Sequence, residues 1–286
     1  MNREEPKFRN QREVYLQALE ELKTPHPSIM LPDWKLWNKM VGGFRPKEFS
    51  ILCGSTGSGK TTFLANLSAQ LLKQHVKHFV MSVETGHVDF MKRVISALVG
   101  KDINTGEAVP SGDLANIHTK YAEYLEKDII EFSLYDNRIS LEHLLYDIEY
   151  MVKEKGCKVC FVDNLNFFMK ITRSADQLVE MDTVIHKLIM FCKNVDVHIV
   201  MVMHPRKTIE TRIESEFDIK GSATSVQEAQ NVFLFNRPKP KDVNNGRANK
   251  DDRELTLQKM RRRGMHTHKT IIFNSEGTRY VEKGYF

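Results

Sequence analysis

Nine consecutive residues, Gly54-Ser55-Thr56-Gly57-Ser58-Gly59-Lys60-Thr61-Thr62, constrain this chain more than any others. An apolar run, Phe49 to Cys53, precedes them, and a helical pattern with Phe63, Leu64, Leu67, Leu71 and Leu72 on one side follows. Strand, glycine-rich loop, helix is the setting in which G-x-x-x-x-G-K-[ST] predicts a phosphate-binding loop. Gly54, Gly57 and Gly59 let the backbone curl until consecutive N–H groups converge on an anion. The helix N-terminus adds unsatisfied donors and partial positive charge. Lys60 is then placed to reach the outer phosphates of a nucleoside triphosphate, and the Thr61 hydroxyl to ligate magnesium.

Such a loop needs a sheet behind it, and the remaining pattern supplies one. Lys77 to Val83 predicts a strand ending at Glu84, followed by an amphipathic helix through Val99. Residues 101–120 are polar and rich in turn formers, which predicts irregular chain or short helices. Leu141 to Lys155 predicts a helix, Cys157 to Val162 a buried strand ending in Asp163, and Ala175 to Lys193 an amphipathic helix. Val197 to Met203 predicts a strand ending in His204, and later strands are expected at Asn231 to Phe235, Leu255 to Lys259, Ile271 to Phe273 and Thr278 to Val281. Residues 236–253, polar and without period, are expected as a long mobile hairpin loop. Strands alternating with helices give an α/β fold with a mainly parallel central sheet.

Residues 10–23 put Tyr15, Ala18, Leu19 and Leu22 on one helical face before Pro25, Pro27 and Pro32 break the chain. The reading is therefore an amino-terminal arm over residues 1–25 and one domain over 26–286. The arm's helix can dock on its own domain or on a neighbouring subunit.

A chain of 286 residues, 41% hydrophobic and 28% charged, can bury the core of one large domain. Its net charge of +5 permits a polyanionic partner without demanding one. Four cysteines argue against a disulfide framework. Cys157 and Cys160 fall in a predicted strand, where residues three apart point to opposite faces, which argues against a zinc site. No apolar run reaches membrane-spanning length, and MNREEPKFRN is not a signal peptide. The expected compartment is the cytoplasm, that of a host if the source is viral.

Four polar features cap predicted strands at their carboxyl ends: the loop from Gly54, Glu84, Asp163 and His204. In open α/β sheets ligands sit beyond those ends. Asp163 fits the carboxylate that holds hydrated magnesium beside Thr61. Glu84 is placed to orient and deprotonate an attacking water, and His204 to sense the terminal phosphate, although either can instead cap a following helix. The run Leu257 to Lys269 is the densest positive cluster. It reads as a solvated basic face or as a strand-end arginine reaching an adjacent subunit's nucleotide. Basic residues after His204, and again at Lys220-Gly221-Ser222, fall in predicted loops suited to a phosphate backbone.

With these residues in place, the chain resembles the RecA-like helicase domain of DnaB-type ring helicases, nearest the branch of Twinkle and the phage primase–helicases. The matching blocks, spread between about Pro32 and Val281, are GGFRPKE, GSTGSGKTT, the strand ending SVET, VDNLNF, HIVMVMHPRK, GSATSVQEAQNVFLF and LQKMRRRG. The resemblance implies an ATP-dependent helicase that translocates on single-stranded DNA and unwinds forked duplex in replication. Lys60 and Thr61 would bind phosphate and magnesium, Glu84 would be the catalytic base, Asp163 the metal carboxylate and His204 the phosphate sensor. Lys259 and Arg261 match the residues that act across the subunit boundary, with the register open among Arg261, Arg262 and Arg263. Lys220 and Gly221 match the central DNA-contacting loop, joined by Arg206 or Lys207. It also implies a hexameric ring whose amino-terminal helix packs on the next subunit. A separate primase or loader is an expected partner. The same core would serve a helicase loader or a recombinase, although recombinases usually carry a glutamine-type sensor where this chain has HPRK.

Overall fold

The computed structural model describes residues 10–23, 28–125, 127–134, 140–164, 174–206, 212–220, 223–263, 269–276 and 278–285. Its strands are β1 (Phe49–Cys53), β2 (His78–Ser82), β3 (Ile130–Phe132), β4 (Val159–Asp163), β5 (His198–Met203), β6 (Asn231–Asn236), β7 (Arg253–Met260), β8 (Lys269–Glu276) and β9 (Arg279–Tyr285). They join one sheet in the order β3-β2-β4-β5-β1-β6-β7-β8-β9. From β3 to β6 every pairing is parallel, and from β6 to β9 every pairing is antiparallel. The expected mainly parallel α/β sheet is the fold observed.

The helices are α1 (Gln11–Lys23), α2 (Lys35–Val41), α3 (Lys60–Leu72), α4 (His87–Val99), α5 (Ser111–Leu125), α6 (Leu141–Lys153), α7 (Ser174–Asn194), α8 (Ala223–Glu228) and α9 (Pro240–Asn244). Alternate side chains of the central strands feed two cores, one on each face. Leu52 of β1 packs with residues of α2, α3, α4 and α5, whereas Phe49, Ile51 and Cys53 pack with residues of α6, α7 and α8. Burial on both faces explains why β1, β2, β4 and β5 read as unbroken apolar runs instead of alternating ones.

The first core holds an aromatic cluster that seats the helix after the phosphate loop. Phe63, in the first turn of α3, lies 5.3 Å from Trp34 and 4.8 Å from Phe235, centroid to centroid. Trp34 reaches across to donate its indole N–H to the Tyr280 carbonyl at 3.1 Å, tying the segment before α2 to β9. Such pairs add about 1 kcal/mol each beyond the area they bury.

Four sequence expectations change. Within and just beyond residues 101–120 the chain forms the 15-residue α5, which buries only Tyr121 and Tyr124, so almost no apolar period shows. β3 was invisible because three half-buried edge residues carry no pattern. Residues 236–253 are not a bare loop: they include α9, and their ends grip the phosphate loop, as described below. Cys157 lies ahead of β4, not within it, so Cys157 and Cys160 enter the same core instead of facing opposite ways. Burial raises both thiols well above the usual range. In α1, Val14, Tyr15, Leu16 and Leu22 stand more than half exposed. Among the described residues no helix is long and apolar enough to cross a membrane.

Candidate active site

The glycine-rich loop leaves the carboxyl end of β1, in the middle of the sheet between β5 and β6. A Cβ on Gly54 would come within 2.5 Å of both the Phe235 carbonyl and the Ser58 hydroxyl, so only glycine allows this crossing. Gly59 has φ +99° and would place a Cβ 2.6 Å from the Tyr280 hydroxyl. Lys60 is buried, and its ammonium donates to the carbonyls of Gly54 at 2.8 Å and Ser55 at 2.9 Å. Two arginines outside the sequence motif hold the loop from behind. Arg237 donates to the Gly57 carbonyl at 2.8 Å, and Arg253 to the Ser58 carbonyl at 2.9 Å. A trans peptide points its C=O and N–H in opposite directions. Fixing the Ser58 carbonyl on one side therefore sets the Gly59 N–H on the other.

A cleft of about 360 Å³ opens above the loop. Lys60, Thr61, Glu84, Asp163 and His204, from the carboxyl ends of β1, β2, β4 and β5, all line it with Thr56, Gly57, Gly59 and Thr62. Thr61 donates its hydroxyl to Asp163 at 2.7 Å. Burial raises the Asp163 carboxyl to about 6, partly offset by that hydrogen bond, and the charge of Glu84 adds to the rise. Burial also lowers Lys60, against the attraction of Asp163, and lowers His204, whose imidazole the Lys60 charge further disfavours as a cation. Asn164, buried beside Asp163, donates to Glu84 at 2.6 Å and lies 3.1 Å from His204 Nε2. Neither Glu84 nor His204 caps a helix: α4 begins after Gly86, which makes no side-chain cap, and extended chain follows His204.

Sequence reading missed Arg93, Arg253, Ser275, Thr278 and Tyr280, which line the same cleft. Arg93 of α4 donates to the Thr62 hydroxyl at 3.1 Å. Tyr280 and Thr278 arrive from the turn into β9, clipped to α3 by Asn66, which donates to the Thr278 carbonyl at 2.7 Å and accepts from the Tyr280 N–H at 2.8 Å. No local motif marks them, because they lie more than 200 residues from the loop they complete.

The other predicted residues lie apart from the cleft. Lys259 is buried at the far end of β7, where its ammonium donates to the Gln227 carbonyl, and burial lowers its pKa by disfavouring the charged form. Arg261 and Arg262 are exposed in a short 3₁₀ turn that continues to Arg263. β7 meets the loop at Arg253; its 8 residues span roughly 26 Å, which sets Arg261 far from its own cleft. After His204 the chain runs as a narrow neck in which the Lys220 N–H donates to the His204 carbonyl at 3.1 Å, and the Arg206 N–H to the Asp218 carbonyl at 2.8 Å. Arg206 is exposed on this neck, as is Phe217. Lys207 and Gly221 lie outside the described residues.

Magnesium takes hard oxygen ligands and keeps much of its shell for phosphate and water. The buried Asp163 carboxylate beside the Thr61 hydroxyl is a donor set of that kind.

A phosphate loop on the central strand of such a sheet, with carboxylates at the neighbouring strand ends, defines a nucleotide-hydrolysing P-loop enzyme of RecA-like build. The family model for the DnaB-like helicase C terminal domain matches residues 33–282, and the chain belongs to that family of NTP-hydrolysing enzymes. In fold it is similar to a DnaB-like replicative helicase whose structure was solved for its interactions with primase: 15% identity and TM-score 0.73 over 96% of this chain and 67% of that one. It is also similar to an isolated ATPase domain (15% identity, TM-score 0.75, 97% of this chain and 100% of that one). A third similar structure is a KaiC-like protein from the archaeon Pyrococcus horikoshii (16% identity, TM-score 0.61, 91% and 99%).

Proposed function

We propose that this chain is an ATP-driven motor that moves along single-stranded DNA and unwinds the duplex ahead of it during replication, acting as a hexameric ring of identical subunits. The observation that carries the reading is the meeting of Lys60, Thr61, Glu84, Asp163 and His204 in one cleft, with Arg261 held too far away to serve the same cleft. Lys60 and the loop N–H groups bind the β- and γ-phosphates, and Arg93 adds a second cation. Thr61 and Asp163 hold magnesium, which when bound neutralises charge that develops on the phosphates. Glu84 orients a water for in-line attack on the γ-phosphorus and accepts its proton, while His204 reads the terminal phosphate. Arg261, with Lys259 beside it, serves the cleft of the next subunit.

DNA is gripped through its phosphates by Arg206, Lys207, Lys220 and Gly221 on the segment that starts at His204, so nucleotide state and grip share one strand end. The α1 arm packs its exposed apolar side chains on a neighbouring subunit, and a separate primase or loader completes the machine. The test is unwinding of a forked DNA in the presence of ATP and magnesium, comparing wild type with Lys60→Ala. Wild type should unwind and the variant should not; a wild type that hydrolyses ATP without unwinding would shift the reading to a loader.

A further inference from the structure

Glu84 and His204 touch the same third side chain, one that no part of the proposed mechanism uses. The Asn164 amide nitrogen is 2.6 Å from Glu84 Oε2 and 3.1 Å from His204 Nε2, while those two atoms lie 3.9 Å apart, beyond hydrogen-bond length. A carboxylate can only accept, so the atom facing Glu84 must be the NH₂ of the amide. That nitrogen has two hydrogens and no lone pair to offer, so His204 Nε2 must also accept. The ring is therefore neutral, with its proton on Nδ1. Asn164 is buried at 4% exposure, which fixes the amide between the two groups.

We infer that Asn164 is a positioning residue that couples the phosphate-sensing imidazole to the catalytic carboxylate. This rests on the roles of Glu84 and His204 given above. A γ-phosphate oxygen is an acceptor, so the imidazole cannot bind it through an unprotonated Nε2 that already accepts from Asn164. To donate to the phosphate, His204 must move its proton to Nε2 or turn its Nδ1–H toward the cleft. Either change breaks the bond to Asn164 and frees one amide hydrogen. The amide then re-aims, and the Glu84 carboxylate that it holds re-aims with it. Before a triphosphate arrives Glu84 is tethered; afterwards it is set for water. A diphosphate does not reach the sensor and leaves the tether in place.

Two measurements on the full chain test this. Nitrogen NMR of ¹⁵N-histidine-labelled protein, with His204 identified by loss of its signals in His204→Ala, should show Nδ1 protonated and Nε2 bare. Adding a non-hydrolysable triphosphate with magnesium should change that pattern, and adding the diphosphate should not. Protonated Nε2 in the nucleotide-free protein, or no difference between the two nucleotides, overturns the inference whether or not the protein hydrolyses ATP. In single-turnover hydrolysis, Asn164→Ala should slow the chemical step about a hundredfold with nucleotide affinity within about twofold, the scale of a catalytic group misplaced by about an ångström. Added to His204→Ala, the same change should cost much less than a further hundredfold, because the half of the link that runs through His204 is already cut. Independent, multiplying losses overturn the coupling. Asn164→Ser, which keeps a single donor, should fall between wild type and Asn164→Ala, and serves if the alanine variant does not fold. A wild type without ATPase activity refutes the hydrolytic reading itself, and the NMR result then judges the Asn164–His204 bond alone.

Discussion

Replacing Asp163 with asparagine should make the nucleotide-free protein more stable while abolishing its magnesium-dependent hydrolysis. Asp163 is 2% exposed, and burial, with the charge of Glu84, raises its carboxyl from 3.8 to about 6. Raising the carboxyl that far corresponds to a cost of about 3 kcal/mol for keeping the group ionised in the folded state. The sign follows from linkage. Above about pH 6 both folded and unfolded chains carry the carboxylate, and the folded state bears the full cost. As pH falls from there toward 3.8, the folded state takes the proton first and the cost fades; below 3.8 it is gone. Asparagine has nearly the same shape, keeps an oxygen to accept from Thr61, and carries no charge to desolvate. It also removes the attraction that favours the buried Lys60 ammonium, which takes back part of the gain. The expected net gain is about 2 kcal/mol at pH 8, shrinking to near zero at pH 4. Urea unfolding of both proteins across that range, with chelator and without nucleotide, measures it. A variant that is less stable at pH 8, or a gap that does not close on acidification, would refute the reasoning.

Arg261→Ala should lower DNA-stimulated hydrolysis by about a thousandfold while leaving nucleotide affinity nearly unchanged, measured by steady-state kinetics and by titration with a fluorescent nucleotide; full activity would remove Arg261 from the neighbour's cleft and point to Arg262 or Arg263. Lys220→Ala should weaken single-stranded DNA binding for every sequence alike and reduce the slope of log affinity against log salt by about 0.7, read from fluorescence anisotropy over a salt series. A sequence-dependent loss would instead mean base contact. Asn66→Ala should cost about 2–4 kcal/mol, because it strands the Tyr280 N–H and the Thr278 carbonyl in buried surroundings, and it should raise KM as the turn that closes the cleft loosens. Thermal unfolding and kinetics of one preparation decide it: unchanged KM would detach that turn from nucleotide binding.

The residues that meet at the strand ends were legible in the sequence because each stretch that carries them is local. A phosphate loop is one continuous stretch whose glycines answer to its own backbone. The strands that carry Glu84, Asp163 and His204 are buried on both faces, so each announces itself as an apolar run stopped by one polar residue. What sequence could not supply is whatever depends on the antiparallel extension folding back over the loop. Arg237, Arg253, Thr278 and Tyr280 meet the phosphate loop or its cleft only because β6 pairs with β1 and β7 to β9 extend the sheet from it. Residues 236–253 looked like a free polar loop for the same reason: their order comes from guanidinium groups bonded to carbonyls about 180 and 195 positions away. Asn164 illustrates the division most sharply. Its place after Asp163 is plain in the chain, but its bonds to Glu84 and His204 require β2, β4 and β5 to lie side by side in that order. Local backbone demands and burial write themselves into neighbouring residues; hydrogen bonds between distant segments are decided only when packing brings those segments together.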